Sequence, residues 1–193
     1  MLGSIASVLS AFGLSGAAGL NAFIPLLAVA VLGRTGVLHL AAPYDVLTTT
    51  WAIALIAVFL VIEIVVDKIP VADHANDVVQ TFIRPATGAL LFAAETGMIT
   101  DVHPGIALAL GLVTALGVHG TKAAVRPVVN ATTAGFGAPV VSAIEDGISV
   151  VTTALAIFLP IVMVVFLAIV IFFVVRLFRK APGVTTPAPT KPT

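Results

Sequence analysis

Residues 63–88 read EIVVDKIPVADHANDVVQTFIRPATG, and the fold is organised around this stretch because long apolar runs flank it on both sides. It contains four of the nine acidic residues and two of the nine basic residues of the chain. Ionisable side chains at or inside a bilayer are costly, so each is a candidate for function. The pattern predicts an integral membrane protein whose function depends on this stretch.

The composition places the chain outside the soluble globular class. Of its 193 residues, 60% are hydrophobic and 9% are charged, whereas soluble domains contain about 25% charged residues. A net charge of zero gives no basic footprint for nucleic acid. The absence of cysteine excludes disulfides, thiolate metal sites and cysteine nucleophiles. The composition therefore predicts the lipid bilayer as partner, with no nucleic acid, metal or cofactor.

The first apolar segment covers residues 2–32 and is rich in small residues. Such residues let neighbouring backbones approach closely within a membrane. Asn21 and Pro25 follow its glycine-rich part directly. The favoured interpretation is a tightly packed helix kinked at proline. The alternative is a helix broken between residues 16 and 25, which would expose backbone groups to a cavity.

Two further segments adjoin the ionisable stretch. The second segment, 49–67, carries Glu63 and Asp67 four residues apart on one helix face. Pro70 is expected to end this helix. Residues 71–81 are predicted to form a polar loop, and a third segment follows them.

The second half of the chain includes one stretch that is too long for a single crossing. The fourth segment covers 104–129 and is followed by a polar connection at 130–138. Residues 139–178 have no obvious loop, and as one helix they would be about 60 Å long, twice the hydrocarbon thickness. We favour two short spans that turn near Pro160. The alternative is a re-entrant half-helix over 139–153 followed by one long span.

These segments predict an all-α fold, a polytopic transmembrane helix bundle of about six spans with broken or re-entrant helices, over residues 1–180. The Pro- and Thr-rich residues 181–193 are predicted to be a disordered cytoplasmic tail. With six spans, Lys68, the end of the fourth segment and Arg176 lie on one side of the membrane. The positive-inside rule then places that side and both termini in the cytoplasm. The predicted location is the inner membrane of the cell.

An internal repeat is a further alternative. Residues 13–27 resemble 111–129, because each is a glycine-rich run followed by a polar site and a proline. Residues 74–92 resemble 143–161, because each has an acidic start that leads into an apolar helix. Repeated halves with broken helices are a known transporter architecture, with the binding site at the repeat interface.

Three motifs resemble those of a known family. DKIP at 67–70, TFIRP at 81–85 and NATTAG at 130–135 are similar to the signatures of an uncharacterised bacterial family, domain of unknown function 4126, and residues 16–25 resemble its opening. The resemblance extends over about residues 7–166. It implies a multi-span membrane protein and implies no activity.

The polar residues of the apolar segments are predicted to form a transport path or an intramembrane charge network. Glu63 and Asp67 would either start a cation site or pair with Lys122 and Arg126. We expect His119 to be a packed, hydrogen-bonded histidine. The predicted site consists of Asn21, Glu63, Asp67, Asp73, Asp77, Arg84, His119, Lys122, Arg126, Glu145 and Asp146.

We expect Arg84 to pair with Asp77 or Asp146, because an unpaired guanidinium in a membrane would be costly. Asp73, His74 and Asp77 resemble metal ligands by type, but a solvated cytoplasmic loop is the favoured explanation for them. The chain has no G-x-S-x-G elbow, H-E-x-x-H, P-loop or G-x-G-x-x-G, so we expect no enzymatic activity. The leading prediction is a transporter or channel for an ion or small solute. The alternative is a structural or accessory subunit of a larger membrane complex or homo-oligomer.

Overall fold

A computed structural model describes the backbone of residues 2–67, 70–96, 102–133 and 137–160, and of positions 162, 165, 169, 172 and 176. It describes side chains in the same ranges except at positions 2–4, 70–75, 77 and 130. Within these residues the fold is all-helical, with no strand. The helices are α1 (Leu2–Leu20), α2 (Phe23–Arg34), a 3-10 turn (Tyr44–Thr48), α3 (Thr50–Val66), α4 (Pro70–Thr96), α5 (Pro104–Thr133) and α6 (Ala138–Phe158).

The distribution of polar and apolar side chains is the reverse of a soluble protein's. Trp51 and Phe82 are 63% and 75% exposed, whereas Arg84 is fully buried. Large contiguous apolar surfaces are rare on soluble monomers and mark contact with a membrane or another protein. By length and composition, α5 and α6 are able to cross a bilayer. The expected association with a membrane is therefore supported in this coarse form.

The first apolar segment is broken, not merely kinked. α1 ends at Leu20 and α2 begins at Phe23, so the favoured interpretation of one kinked helix is wrong and the broken helix is confirmed. Pro25 lies within the first turn of α2, where its missing N–H removes no helical hydrogen bond. The break is therefore at Asn21, the polar residue that precedes the proline.

Pairs of contacts give the directions of α1 and α3 relative to α4. The ring of Phe12 lies 4.9 Å from that of Phe92, and the Ser15 hydroxyl donates to the Gly88 carbonyl. Residue numbers thus rise along α1 as they fall along α4, so the two helices are antiparallel. Glu63 pairs with Arg84 and Asp67 with Asn76, so α3 is also antiparallel to α4.

The same reasoning shows that α1 and α2 form a hairpin. The Phe23 ring stacks 5.5 Å from that of Phe59, and Arg34 donates to the Thr50 hydroxyl, so α2 is antiparallel to α3. Because α3 runs parallel to α1, α2 runs opposite to α1. The chain enters the bundle along α1, reverses at Asn21 and leaves along α2.

The bundle has two ends, which we call end A and end B. At end A, α1 and α3 begin and α2 and α4 end. At end B, α3 ends and α4 begins. α5 is antiparallel to α4, since Arg84 lies beside His119 and Gly88 beside Ala115. α6 is antiparallel to α1, so it begins at end B.

Close packing of α4 against α5 depends on two glycines. A Cβ at Gly111 would lie 2.6 Å from Phe92 Cβ and 2.8 Å from Ala89 Cα, and a Cβ at Gly88 would collide with Ala115. Small residues at such crossings let helices approach closely in membranes. This close approach brings the polar residues of α4 within reach of those of α5.

Residues 71–81 are helical, so the predicted polar loop is wrong. Pro70 is the first residue of α4 and does not separate the second segment from a loop. Proline suits a first helical position because its φ is fixed near the helical value and its missing N–H would be unpaired there. Among its described side chains, Asn76 bonds Asp67 and Gln80 is buried, so at these positions a pattern typical of loops is that of a buried polar helix face.

The ends of α5 and α6 can be compared with the predicted segment boundaries. α5 continues to Thr133, so the start of the predicted 130–138 connection is helical. α6 runs past residue 153 to Phe158, and Leu159 has a non-helical backbone beside Pro160. α6 thus ends before Pro160, and the predicted turn between two spans at this proline stays a prediction.

The predicted tail, 181–193, lies outside the described residues. The internal repeat stays a prediction. Its first pair of stretches differs in form, because residues 13–27 break at Asn21 whereas residues 111–129 lie within the continuous helix α5.

Candidate functional site: a buried charge cluster at a helical hairpin

Four helices place six ionisable side chains at one place in the interior, which we call the charge cluster. α3 contributes two carboxylates one turn apart, and α5 contributes two cations one turn apart, because residues at i and i+4 share a helix face. α4 and α6 contribute one residue each. The charge cluster consists of Glu63, Asp67, Arg84, Lys122, Arg126 and Glu145.

Asp67 is the central acid of the charge cluster. Its Oδ2 lies 3.3 Å from Arg126 Nη2 and 3.5 Å from Lys122 Nζ. Its Oδ1 accepts a hydrogen bond from Asn76 at 2.7 Å. Two α5 cations and an α4 amide are thus held by one carboxylate at the end of α3.

The other two acids bind the cations from opposite sides. Glu63 Oε1 accepts a hydrogen bond from Arg84 at 2.9 Å. Glu145 Oε2 lies 2.7 Å from Arg126 Nη2 and 3.0 Å from Lys122 Nζ. Lys122 and Arg126 are therefore shared between Asp67 and Glu145, so α3, α5 and α6 are joined through them.

The charge cluster is balanced and almost completely buried. It contains three carboxylates and three cations, and the side chains range from 0% exposed at Glu63 and Arg84 to 12% exposed at Glu145. Charges in such surroundings are tolerated only with good partners, and removing one partner leaves the other unpaired. The least buried member, Glu145, lies beside the hairpin formed by α1 and α2.

One cation of the charge cluster and the side chain of Asn21 bind the two helix ends at the hairpin tip, residues 20–23. Lys122 Nζ donates to the Leu20 carbonyl at the end of α1, at 3.1 Å. Asn21 Oδ1 accepts the backbone N–H groups of Phe23 and Ile24, both at 3.1 Å. A cation at a helix C-terminus and a polar cap at an N-terminus complement the helix dipoles.

The hairpin tip is also tied to α6. Asn21 Nδ2 donates to Asp146 Oδ1 at 2.9 Å. The Ser149 hydroxyl donates to the Ala17 carbonyl at 3.1 Å, one turn before the break. At the break, the Leu20 carbonyl is thus satisfied by a side chain from α5 and the N–H groups of Phe23 and Ile24 by Asn21, as broken membrane helices require.

His119 is the packed, hydrogen-bonded histidine that the sequence predicts. It is 3% exposed and lies between Arg84 Nη1 and Thr81 Oγ1, each 3.1 Å from one ring nitrogen. A guanidinium only donates hydrogen bonds, so Nδ1 must accept and Nε2 must carry the proton. His119 is therefore neutral in this arrangement, and it keeps the Arg84 guanidinium aligned with Glu63.

The structure brings together most of the residues predicted from the sequence. The charge cluster, Asn21, His119 and Asp146 lie together, and the predicted pairing of Lys122 and Arg126 with acids is confirmed. Arg84 binds Glu63, a partner other than the two expected for it. The side chains of Asp73 and Asp77 lie outside the described residues.

Glu63 and Asp67 are paired with cations, which is one of the two alternatives that the sequence left open for them. Each of the two carboxylates binds at least one arginine. Within the described part of the chain, no group of three or more acidic or histidine side chains is placed to hold a metal ion. The contacts of the charge cluster are therefore those of buried ion pairs.

Sequence reasoning missed the neutral polar residues around the charge cluster. Asn76, Gln80 and Arg84 recur every four residues along α4, which is the signal of a polar helix face. Glu95, which is partly buried, lies in α4. α6 carries a comparable face of buried hydroxyls, Ser142, Ser149, Thr152 and Thr153.

Comparison with known proteins gives a family without an activity. The family model described as "Domain of unknown function (DUF4126)" matches residues 8–180. No curated protein and no solved structure matches the chain.

Proposed function

The chain belongs to the DUF4126 family, and we propose that it is a small multi-pass transporter or channel for an ion or small solute. The charge cluster and the hairpin tip form its polar path. The observation that carries the proposal is the reversal of the chain at Asn21 in contact with buried ion pairs. Non-helical backbone at membrane depth is tolerated where it lines a cavity or is buried in protein, and in transporters broken helices form the binding site.

The proposed topology follows from the hairpin. α3, α4, α5, α6 and the apolar segment that follows Pro160 in the sequence would each cross the inner membrane, and α1 with α2 would enter and leave on one side. In sequence, Lys68 comes between the end of α3 and the start of α4, so the positive-inside rule favours end B as cytoplasmic. The C-terminal tail is then cytoplasmic. In this topology the N-terminus would be on the side of end A with residues 33–48, whereas the six-span interpretation places both termini in the cytoplasm.

The shared ion pairs supply a gating step, in which Lys122 changes contacts as a solute passes. Lys122 contacts the Leu20 carbonyl, Asp67 and Glu145 at distances of 3.0–3.5 Å. A solute that replaced one of these contacts would leave Lys122 two others, so the ammonium would not become unpaired. Because Leu20 lies at the hairpin tip, a shift of Lys122 would be transmitted to α1 and α2.

The alternative proposal is an accessory subunit, and the balance of the charge cluster favours it. Its three carboxylates each bind a cation in the interior, which is what a purely structural staple requires. In that role the apolar exterior would contact a larger complex or a second copy of the chain. We propose no catalytic role in either case.

The test is flux through the full-length protein reconstituted in liposomes that contain pH- and cation-sensitive dyes. Asp146→Asn keeps side-chain size and lets Asn21 donate to the new carbonyl, so the variant should fold while its flux falls at least tenfold. Asp45→Asn, in the exposed loop, is the matched control and should keep wild-type flux. Wild-type protein that moves neither ions nor small solutes would reject transport in favour of the accessory role.

A further inference from the structure

Three hydroxyls on the buried side of α6 have no hydrogen-bond partner within the described part of the chain. They belong to Ser142, Thr152 and Thr153, which are 0%, 1% and 3% exposed. A buried polar group without a partner costs free energy, and each instance in a native structure requires an explanation. These residues lie outside the charge cluster and have no part in its ion pairs.

Other hydroxyls in the helices behave differently. Thr96, Thr114 and Thr121 each donate to the carbonyl four residues earlier, which is the usual way to satisfy a hydroxyl within a membrane helix. Thr121 does so although its side chain is exposed, and Thr114 does so although it is only partly buried. The hydroxyls of Ser142, Thr152 and Thr153 make no such bond, so their oxygens are available to a ligand.

The unpartnered hydroxyls share one face of α6 with groups already described. At about 100° per residue, positions 142, 145, 149, 152 and 153 lie within roughly one third of the helix circumference. We call residues Ser142, Ser149, Thr152 and Thr153 the hydroxyl face. From residue 142 to residue 153 it extends about 16 Å along the axis, which is about half of the hydrocarbon thickness.

The hydroxyl face lies against α1 and is adjacent to carboxylates. Ser149 bonds Ala17, and Asp146 bonds Asn21 one turn further along α1. The hydroxyl face therefore packs beside the hairpin tip, next to the carboxylate of Asp146.

We propose that the hydroxyl face binds a small alkali cation and guides it between end A and the carboxylates Glu145 and Asp146. Oxygen atoms are the ligands that hard cations prefer, and hydroxyl oxygens supply them without adding charge. Glu145 already binds Lys122 and Arg126, so the negative charge left for a ligand suits a monovalent ion better than a divalent one. This inference rests on the proposed transport function and names its substrate class.

The first experiment measures binding without transport. The melting temperature of the full chain in detergent is recorded in sodium, potassium or N-methylglucamine chloride at equal ionic strength. Ligands that bind only the folded state raise the melting temperature. We expect one alkali cation to raise it with saturation, and N-methylglucamine to have no such effect. Equal melting temperatures in all three salts would overturn the proposal.

The second experiment locates the binding site. In Thr152→Val/Thr153→Val the shape is kept and no hydrogen bond is lost, so the protein should fold. The half-saturating cation concentration should rise about tenfold or more, because one hydrogen bond or equivalent ligand is worth up to about a decade in affinity. Thr114→Val on α5 is the control and should leave that concentration unchanged. Ser142→Ala provides a second test of the same face if the double variant does not fold.

The outcomes separate this inference from the proposed function. Flux of another solute without any alkali-specific stabilisation would overturn the cation site and leave transport standing. Alkali-specific stabilisation that is lost in the hydroxyl-face variants, in a protein without flux, would support the cation site and reject transport. An unchanged half-saturating concentration in both hydroxyl-face variants would overturn the assignment to α6.

Discussion

At the scale of single residues, Arg84 is the side chain whose surroundings most restrict it. It is fully buried, donates to Glu63 at 2.9 Å and lies beside the neutral ring of His119. A guanidinium keeps its charge in proteins, so its burial requires a carboxylate with fixed geometry. Asp67 differs because it is shared by three cations. Neutralising Asp67 would leave excess positive charge, so Asp67→Asn is expected to destabilise the fold as well as alter function.

We predict that Arg84→Ala lowers the free energy of unfolding by about 3–5 kcal/mol, because it leaves Glu63 buried without its described cation. The measurement is thermal unfolding in detergent. Adding Glu63→Gln should restore part of the loss, since the stranded charge is then removed. Arg34→Ala is the control, because Arg34 is exposed and donates to Thr50 at the surface. An Arg84→Ala protein that melts like the wild type would disprove the buried pair.

At the scale of elements, the hairpin of α1 and α2 is the part of the fold that the sequence predicted least well. The glycines followed by Asn21 and Pro25 indicated either a kink or a break, because the same residue types occur at both. The direction of α2 depends on contacts with Phe59 and Thr50, far along the chain. Such long-range pairs leave no local pattern, so the reversal was not predictable from the residues of the hairpin.

The charge cluster was predictable for the opposite reason. Charged residues in apolar segments must find partners, and spacings of four on α3 and α5 place them in pairs on one face. The polar stretch at 71–81 was misassigned because helices that face a polar interior have the composition of a loop. The partner of Arg84 depended on the antiparallel register of α3 and α4, which composition does not specify.

We predict that the donor and the acceptor of the hydrogen bond between Asn21 and Asp146 can be exchanged without loss of the fold, but that carboxylates at both positions destabilise it. Asn21→Asp keeps the oxygen that caps α2 but places two carboxylates at hydrogen-bond distance, so the melting temperature should fall. The double variant Asn21→Asp/Asp146→Asn should regain much of the loss, because the amide then donates in the opposite direction. A double-mutant cycle measures the coupling. Additive effects of the two substitutions would show that the hairpin tip is not held to α6 by this bond.

At the scale of the whole molecule, large apolar side chains are exposed on the exterior and the buried polar groups are not distributed evenly between the two ends. The charge cluster lies in the half of the bundle towards end B, where α3 ends and α4 begins. The hydroxyl face extends from it along α6, and the hairpin reaches it from end A. Hydrophobic burial alone would not specify this arrangement, because the exterior is apolar too. Ion pairs and small-residue crossings therefore fix which helices are neighbours.

The hairpin predicts that the start of α1 and the end of α2 are on the same side of the membrane. A first segment that crosses the membrane once predicts that they are on opposite sides. A cysteine placed before Met1 and a cysteine at Val37 should be labelled from the same side of the membrane, because α1 begins and α2 ends at end A. A cysteine at Ala131, at the exposed end of α5 at end B, should be labelled only from the other side. The native chain has no cysteine, so each single-cysteine variant reports one position. Impermeant maleimide applied to spheroplasts and to inverted vesicles gives the measurement.

Positive charge favours end B as cytoplasmic, so we expect labelling of the first two positions in spheroplasts and of Ala131→Cys in inverted vesicles. Labelling of the N-terminal cysteine together with Ala131→Cys would mean that the first segment crosses the membrane once, and the re-entrant hairpin would then be rejected.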